Sequence, residues 1–280
     1  MSVPSRPALR WHGGKWVLAP WIIANFPTHR VYVEPFGGGG SVLLRKARAY
    51  AEVYNDLDGE AVNLFRILRA PNEAARLIEL LRLTPFARAE FEGAYALAED
   101  PVERARRLVI RSFMGFGSDG FNRANKTGFR ASSGRSGTTP AHDWANYPGC
   151  LAAVVSRLAG VILENKDACA VMAQHDGPST LHYVDPPYLP ETRSMKSSHR
   201  FHAYVHEMDE AAHGELLGFL RCLKGIVVLS GYPSALYDVA LDGWRRIERK
   251  ALADGARERT EVLWINRPPA RGGTLFGDAA

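Results

Sequence analysis

The 280-residue chain is 46% apolar and 23% charged, with a net charge of +5 and a pI near 9.2. That composition excludes a disordered or fibrous chain, and the length suits one large domain or a domain with a sizeable insertion. No signal-peptide pattern and no apolar run of about 18 residues is present, which predicts a soluble cytoplasmic protein without membrane contact. The three cysteines, Cys150, Cys169 and Cys222, show no CxxC and no His/Cys ligand spacing. They argue against a disulfide framework and structural zinc, and no metal is expected.

The chain opens with Ala8-Leu-Arg-Trp-His-Gly-Gly-Lys15 and a helix-like run, Trp16 to Phe26, whose first turn Pro20 is expected to limit. Gly13 and Gly14 let the backbone approach a ligand, with Trp11 supplying a ring and Lys15 a cation. Val31-Tyr-Val-Glu34 then reads as a buried strand. Pro35-Phe36 and the loop Gly37-Gly38-Gly39-Gly40 follow, with Ser41 expected to cap a helix from Val42 to Tyr50.

Strand, glycine loop and helix in that order form the nucleotide-cofactor corner of a Rossmann-like sheet. Taken alone, the loop also fits a tight turn or a nicotinamide cofactor, but Gly-x-Gly-x-x-Gly and the P-loop Lys-Ser/Thr are both absent. Glu34 disfavours a diphosphate and tolerates an ammonium or a sulfonium. The next strand, Ala51 to Asp56, ends in an acid placed to accept from ribose hydroxyls or to cap the helix Gly59 to Ala70.

Helical patterns fill Asn72 to Leu83, Pro85 to Glu99 and Pro101 to Met114, interrupting the α/β alternation. Between Pro101 and Pro140 stand Arg104, Arg106, Arg107, Arg111, Arg123, Lys126, Arg130 and Arg135 against only Glu103 and Asp119. The local excess of six exceeds that of the whole chain, so the positive charge concentrates here. The Gly-, Asn- and Arg-rich stretch after Met114 is too polar for a core and reads as a surface ribbon.

A helix from Trp144 to Gly160, a strand Val161 to Asn165 and a short helix after Asp167 follow. Asp167 is either the cap of that helix or a ligand residue. The strand Thr180 to Val184 ends in Asp185-Pro186-Pro187-Tyr188. Proline stops the ladder, leaving a carboxylate, a backbone carbonyl and a ring at a strand's carboxyl end, a set that suits a planar amine. Pro190 to His206 is polar and basic, and Ser194 to His206 is a candidate loop that orders on binding a partner. A helix (Met208 to Lys224), a strand (Gly225 to Tyr232), a helix (Pro233 to Leu241) and a hairpin (Trp244 to Ala253, Arg259 to Arg267) complete the pattern.

Arg10-Trp-His-Gly-Gly-Lys15, Glu34-Pro-Phe-Gly-Gly-Gly-Gly40, Asn55-Asp56, the helical and basic insertion and Asp185-Pro-Pro-Tyr188, in that order, resemble the Dam-type N6-adenine DNA methyltransferases over roughly residues 8 to 267. His12 departs from the family pattern, where a small residue is usual. The resemblance implies an α/β fold: a Rossmann-like seven-stranded methyltransferase sheet with an inserted, mainly helical target-recognition subdomain. Residues 1–70 and 144–267 would form the catalytic domain, 71–143 the insertion and 268–280 a frayed tail.

It further implies S-adenosylmethionine as cofactor and double-stranded DNA as partner. Trp11, Lys15, Glu34, Phe36, Gly37, Gly38, Gly39 and Asp56 would line the cofactor site, with Asp167 near its adenine ring. Asp185, Pro186, Pro187 and Tyr188 would hold a flipped adenine. Arg111, Arg123, Asn125, Lys126, Arg130 and Arg135 are the candidate DNA contacts, since Arg and Lys suit phosphates and Arg and Asn suit base edges. No Pro-Cys nucleophile is present, which argues against cytosine-C5 chemistry. Cytosine N4 and a non-catalytic nucleic-acid-binding module remain as alternatives.

Overall fold

The computed structural model describes residues 4–117, 123, 126–131, 138–192, 206–253 and 257–267. Seven strands form one sheet: β1 (Val31–Glu34), β2 (Ala51–Asn55), β3 (Val161–Glu164), β4 (Thr180–Val184), β5 (Ile226–Gly231), β6 (Arg245–Ala253) and β7 (Arg257–Ile265). Their spatial order is β3-β2-β1-β4-β5-β7-β6. All neighbours are parallel except β7, which is antiparallel to both β5 and β6. β4 and β5 are buried throughout, as their unbroken apolar runs require of parallel strands covered on both faces.

The chain leaves the centre in opposite directions after β1 and β4, so a crevice opens between their carboxyl ends. Glu34 ends one of these strands and Asp185 follows the other. This topology sets the glycine loop beside Asp-Pro-Pro-Tyr although about 150 residues separate them.

Helices cover both faces. They are α1 (Ala19–Ala24), α2 (Ser41–Arg45), α3 (Gly59–Arg69), α4 (Pro71–Leu83), α5 (Arg88–Gly93), α6 (Pro101–Met114), α7 (Pro140–Leu158), α8 (Ala168–Gln174), α9 (Glu210–Cys222) and α10 (Ala235–Ala240). Strand side chains alternate between the faces. Tyr32, Tyr54, Tyr183 and Val228 pack with helices α1 to α7, whereas Val184, Leu229, Val262 and Trp264 pack with α8, α9 and α10.

The inserted helices share the first of these cores. Leu77 and Leu81 of α4, Phe91 of α5 and Leu108 and Phe113 of α6 join Phe65 of α3 and Tyr147 of α7 in one cluster. Asn63 and Glu60 of α3 bind Pro101 and Arg104 of α6, so polar contacts also cross the boundary expected at residue 71.

Several local expectations need correction. Pro20 stands in the first turn of α1 and starts it, because proline's missing N–H is no loss there. Ser41 does not cap α2. Gly40 does, in a left-handed conformation with φ 63°, which the turn out of the glycine loop demands. α2 stops at Arg45 because Lys46 turns extended and sends its ammonium to Glu52 at 2.7 Å. Of the helix expected over Pro85 to Glu99, only α5 forms. The tail 268–280, Asn125, Arg135 and the loop 194–205 lie outside the described residues.

Candidate active site

A cavity of about 510 Å³ opens at the carboxyl ends of β1, β2 and β4. Trp11, Lys15, Glu34, Phe36, Gly37, Gly38, Gly39, Asp56, Asp167 and Asp185 all line it, together with Ala168, Leu216 and Phe219. The structure thus gathers every sequence-expected cofactor residue around one space.

The glycine loop is shaped by its neighbours. A Cβ on Gly37 would overlap the Tyr54 ring, and one on Gly38, at φ 48°, would overlap the Trp11 indole. The Gly37 N–H donates to Asn55 O at 2.8 Å, and Tyr54 Oη donates to Gly38 O at 2.7 Å. Asn55 Nδ2 also donates to Pro35 O (2.9 Å) and Lys166 O (3.0 Å), tying the ends of β1, β2 and β3 together.

Asp56 accepts from the Gly38 N–H at 2.6 Å and the Asp58 N–H at 2.8 Å, one through each oxygen. Asp58, not Asp56, caps α3, accepting from the Glu60 N–H at 2.8 Å. Asp167 caps α8 through the Ala170 N–H at 2.9 Å and also lines the cavity.

Burial makes this half of the site electrostatically unusual. Glu34 Oε2 accepts from Tyr32 Oη at 2.6 Å and from the Leu43 N–H at 2.9 Å. Burial nevertheless outweighs those bonds and pushes its carboxyl up to about 8. Burial likewise pushes Asp56 up to about 6 against its two backbone donors. Neither carboxylate forms an ion pair with a described residue. The Cys169 thiol at the cavity wall is raised to about 11 by burial and is no nucleophile near neutrality.

The second half is built differently. Asp185 Oδ1 accepts from Ser230 Oγ at 2.7 Å, and Oδ2 lies 3.1 Å from Lys15 Nζ. Lys15 is buried, donates to Gly13 O at 2.6 Å and stands 4.6 Å from the centroid of the Tyr188 ring. Sequence reasoning set Lys15 on the cofactor; here its ammonium rests on the carboxylate and ring of the Asp-Pro-Pro-Tyr corner. Tyr188 is buried and donates from Oη to Glu261 Oε2 at 2.9 Å, with Tyr232 edge-on at 4.6 Å. Burial raises the Glu261 carboxyl above its ordinary value, opposed chiefly by Lys15.

Ser230, Tyr232 and Glu261 were missed from sequence. Ser230 and Tyr232 had a local signal, since Leu-Ser-Gly-Tyr ends a buried apolar strand with hydroxyls at the ligand-binding end. Glu261 had none, because its position depends on the β5–β7 register, Gly231 opposite Val262.

The basic segment is less free than its sequence suggests. Arg104 pairs with Glu60 (2.6 Å), Arg106 with Glu103 (2.7 Å) and Glu90 (3.2 Å), and Arg107 with Glu103 (2.7 Å). Arg111, a candidate DNA contact, is corrected: it is 3% exposed and donates to Ala94 O at 2.6 Å. Burial between α5 and α6 gives it a structural bond and removes it from a phosphate's reach. Lys126 stands 5.5 Å from the Tyr95 ring centroid, and Arg130 lies 3.8 Å from Asp143. Arg123 and Lys126 are exposed.

A mixed seven-strand sheet of this order, with its cavity at the β1/β4 crevice, is an α/β methyltransferase fold. The D12 class N6 adenine-specific DNA methyltransferase model matches residues 11–234, and the chain belongs to that family. It is therefore an adenine-specific DNA methyltransferase.

The chain is 29% identical to a type II methyltransferase, M1.LlaDCHI, of Lactococcus lactis subsp. cremoris, over 72% of this chain and 71% of that protein. It is 24% identical to the DNA adenine methylase of Salmonella typhi, over 95% of this chain and 99% of the relative. It is 28% identical to the type II methyltransferase M.MjaIII of Methanocaldococcus jannaschii, over 66% and 70%. Among the described residues no helix is long and apolar enough to cross a membrane, and no cluster of His, Cys, Asp or Glu could hold a metal.

Proposed function

We propose that the enzyme moves a methyl group from S-adenosylmethionine to N6 of an adenine turned out of double-stranded DNA, with the donor in the Glu34–Asp56 half of the cavity and the base against Asp185–Tyr188. The observation that carries this reading is the charge asymmetry of the two halves. Glu34 is a buried carboxyl and Asp56 a half-buried one, neither with a described ion-pair partner, whereas Asp185 is already neutralised by Lys15.

S-adenosylmethionine supplies an electrophilic methyl on a sulfonium and brings an ammonium and ribose hydroxyls. The residues present fit it. Glu34 favours a cation nearby, Asp56 retains lone pairs for hydroxyl donors, and Phe36, Ala168, Leu216 and Phe219 give an apolar wall for its purine. Asp167 lines that part of the cavity.

The adenine amine is a poor nucleophile because its lone pair is delocalised into the ring. Asp185 and the Pro186 carbonyl accept hydrogen bonds from its two N–H groups and favour a more tetrahedral nitrogen. As N–CH3 forms, the S–CH3 bond breaks, the thioether leaves, and the surplus N–H proton passes to Asp185. Lys15 stands at Oδ2 of Asp185 and Ser230 at Oδ1, and each oxygen keeps a lone pair, so the amine joins Lys15 as a donor and the carboxylate stays neutralised. Tyr188 supports the plane of the base, its ring held in place through Glu261 and Tyr232. Alignment supplies the rest of the acceleration, and no covalent enzyme intermediate is required. Arg123, Asn125, Lys126, Arg130 and Arg135 remain the candidates for holding the duplex.

Asp185→Ala tests the assignment. Methyl transfer should fall on the order of 10³-fold or more. S-adenosylmethionine binding, read by calorimetry, should persist within a few-fold. Full activity in that variant would refute the reading.

A further inference from the structure

The β6–β7 hairpin runs past the sheet that it closes. Gly231, the last residue of β5, pairs with Val262, yet β7 begins at Arg257 and pairs with β6 as far as Ala253. The five β7 residues 257–261 therefore stand beyond the β5 pairing. At about 3.3 Å per residue the ribbon overhangs the carboxyl end of β5 by roughly 16 Å. That is the active-site end, where Ser230 holds Asp185 and Glu261 holds Tyr188.

The register places Arg249 opposite Glu261 and Ala251 opposite Arg259. With a side-chain period of two, Arg249, Arg259 and Glu261 share one face. Glu261 turns that face toward the Tyr188 corner. Arg259 lies 5.9 Å from the Tyr232 ring centroid and Arg249 5.8 Å from that of Trp21. Neither arginine forms an ion pair with a described residue, and Glu261 across from Arg249 is engaged by Tyr188.

This differs from α6, where Arg104, Arg106 and Arg107 are paired with glutamates and Arg111 is buried. The inserted helices follow β2 and return to β3 at one edge of the sheet; the ribbon is the other edge. A duplex presenting a base at Asp185 lies between them.

We infer that the overhanging β6–β7 ribbon is a second DNA-binding arm, in which Arg249 and Arg259 contact the phosphate backbone flanking the target adenine, on the side opposite the inserted helices. The inference rests on the reading that the base enters at Asp185–Tyr188. The ribbon neutralises charge and holds register without reading bases, since arginines on a strand face beside a pocket meet the backbone first. It completes a clamp whose other jaw is the insertion.

The test uses the full-length double variant Arg249→Gln/Arg259→Gln and sheared, unmethylated genomic DNA as probe. Affinity is measured across a salt series. The log–log slope should become shallower by about 2, and affinity at moderate salt should fall about tenfold or more. S-adenosylmethionine affinity and thermal midpoint should not change.

If the variant melts early, Arg249→Lys/Arg259→Lys must restore the slope, because a phosphate contact needs the charge and not the guanidinium shape. An unchanged slope in a folded glutamine variant, or a lysine pair that fails to restore it, overturns the arm. Asp185→Ala separates the two claims. Loss of transfer in that variant with an unchanged slope in the ribbon variant removes only the arm, whereas retained transfer removes the target-corner reading itself.

Discussion

Two adjoining strand ends of this sheet carry buried and half-buried carboxyls, and they are treated in opposite ways. On the β1–β2 side, Glu34 and Asp56 are held by neutral donors, and burial pushes them up to about 8 and about 6. On the β4–β5 side, Asp185 meets Lys15 at 3.1 Å, and the same lysine opposes the burial of Glu261. Glu34 and Glu261 share residue type and burial; the close ammonium of Lys15, against only a weak pull from Lys46 on Glu34, is the difference. A site of buried carboxyls without a cation favours a ligand that brings one, and a site that is already neutral favours a neutral ligand. The sulfonium donor and uncharged amine of the proposed reaction are such a pair, and the cavity's charge distribution would keep them apart.

Substitutions on each side should separate the two halves. The largest effect is expected from Gly37→Ala. Its methyl would run into the Tyr54 ring, forcing the glycine loop off Asn55 and Asp56. Stability should drop by about 1–3 kcal/mol. S-adenosylmethionine binding should be lost while DNA binding in its absence survives, as thermal melts and separate titrations would show.

Next comes the protonation of Glu34. Its carboxyl is raised in the folded state, so the stability that it contributes is fully present below about 4.5 and is lost as pH rises through about 8. Glu34→Gln mimics the protonated form and should lose less thermal midpoint than the parent between about pH 5 and about pH 9. In the parent, binding of the cationic donor should release protons near neutrality, measurable by calorimetry in buffers of different ionisation heat. Glu34→Gln should abolish that release. A pH-independent binding heat in the parent would break the comparison.

A smaller effect is expected on the other side. Tyr188→Phe removes the bond to Glu261 and leaves a buried carboxyl short of a donor, which should cost about 1 kcal/mol of stability. Transfer should slow several-fold with S-adenosylmethionine affinity unchanged. The smallest belongs to Arg104→Ala. Its partner Glu60 and their shared partial exposure limit the loss to about 0–1 kcal/mol, and DNA affinity should hold within about twofold because this charge is already paired. A large loss of DNA affinity would return α6 to the interface.

The elements that were legible in the sequence are those set by local chemistry. The apolar runs of β1, β4 and β5, the prolines opening α4 and α6, and the strand stop at Pro186 each appear where the pattern puts them. The residues that line the cavity were legible because strand ends in a parallel sheet converge whatever lies between them.

What was not legible depended on partners distant in sequence. Arg104 and Arg106 counted toward the positive excess of the 101–140 segment, and only the fold brings Glu60 and Glu90 against them. Lys15 was legible as a residue of the cavity, but its contact with Asp185, 170 residues along the chain, was not. Glu261 could be placed only once the β7 register was known.

The most direct test of the central claim is a map of modified bases in the genomic DNA of a methylation-free host that expresses this chain. N6-methyladenine in one recurring sequence context, present with the parent and absent with Asp185→Ala, is the predicted result. N4-methylcytosine, or N6-methyladenine that persists in the Asp185→Ala strain, would contradict it.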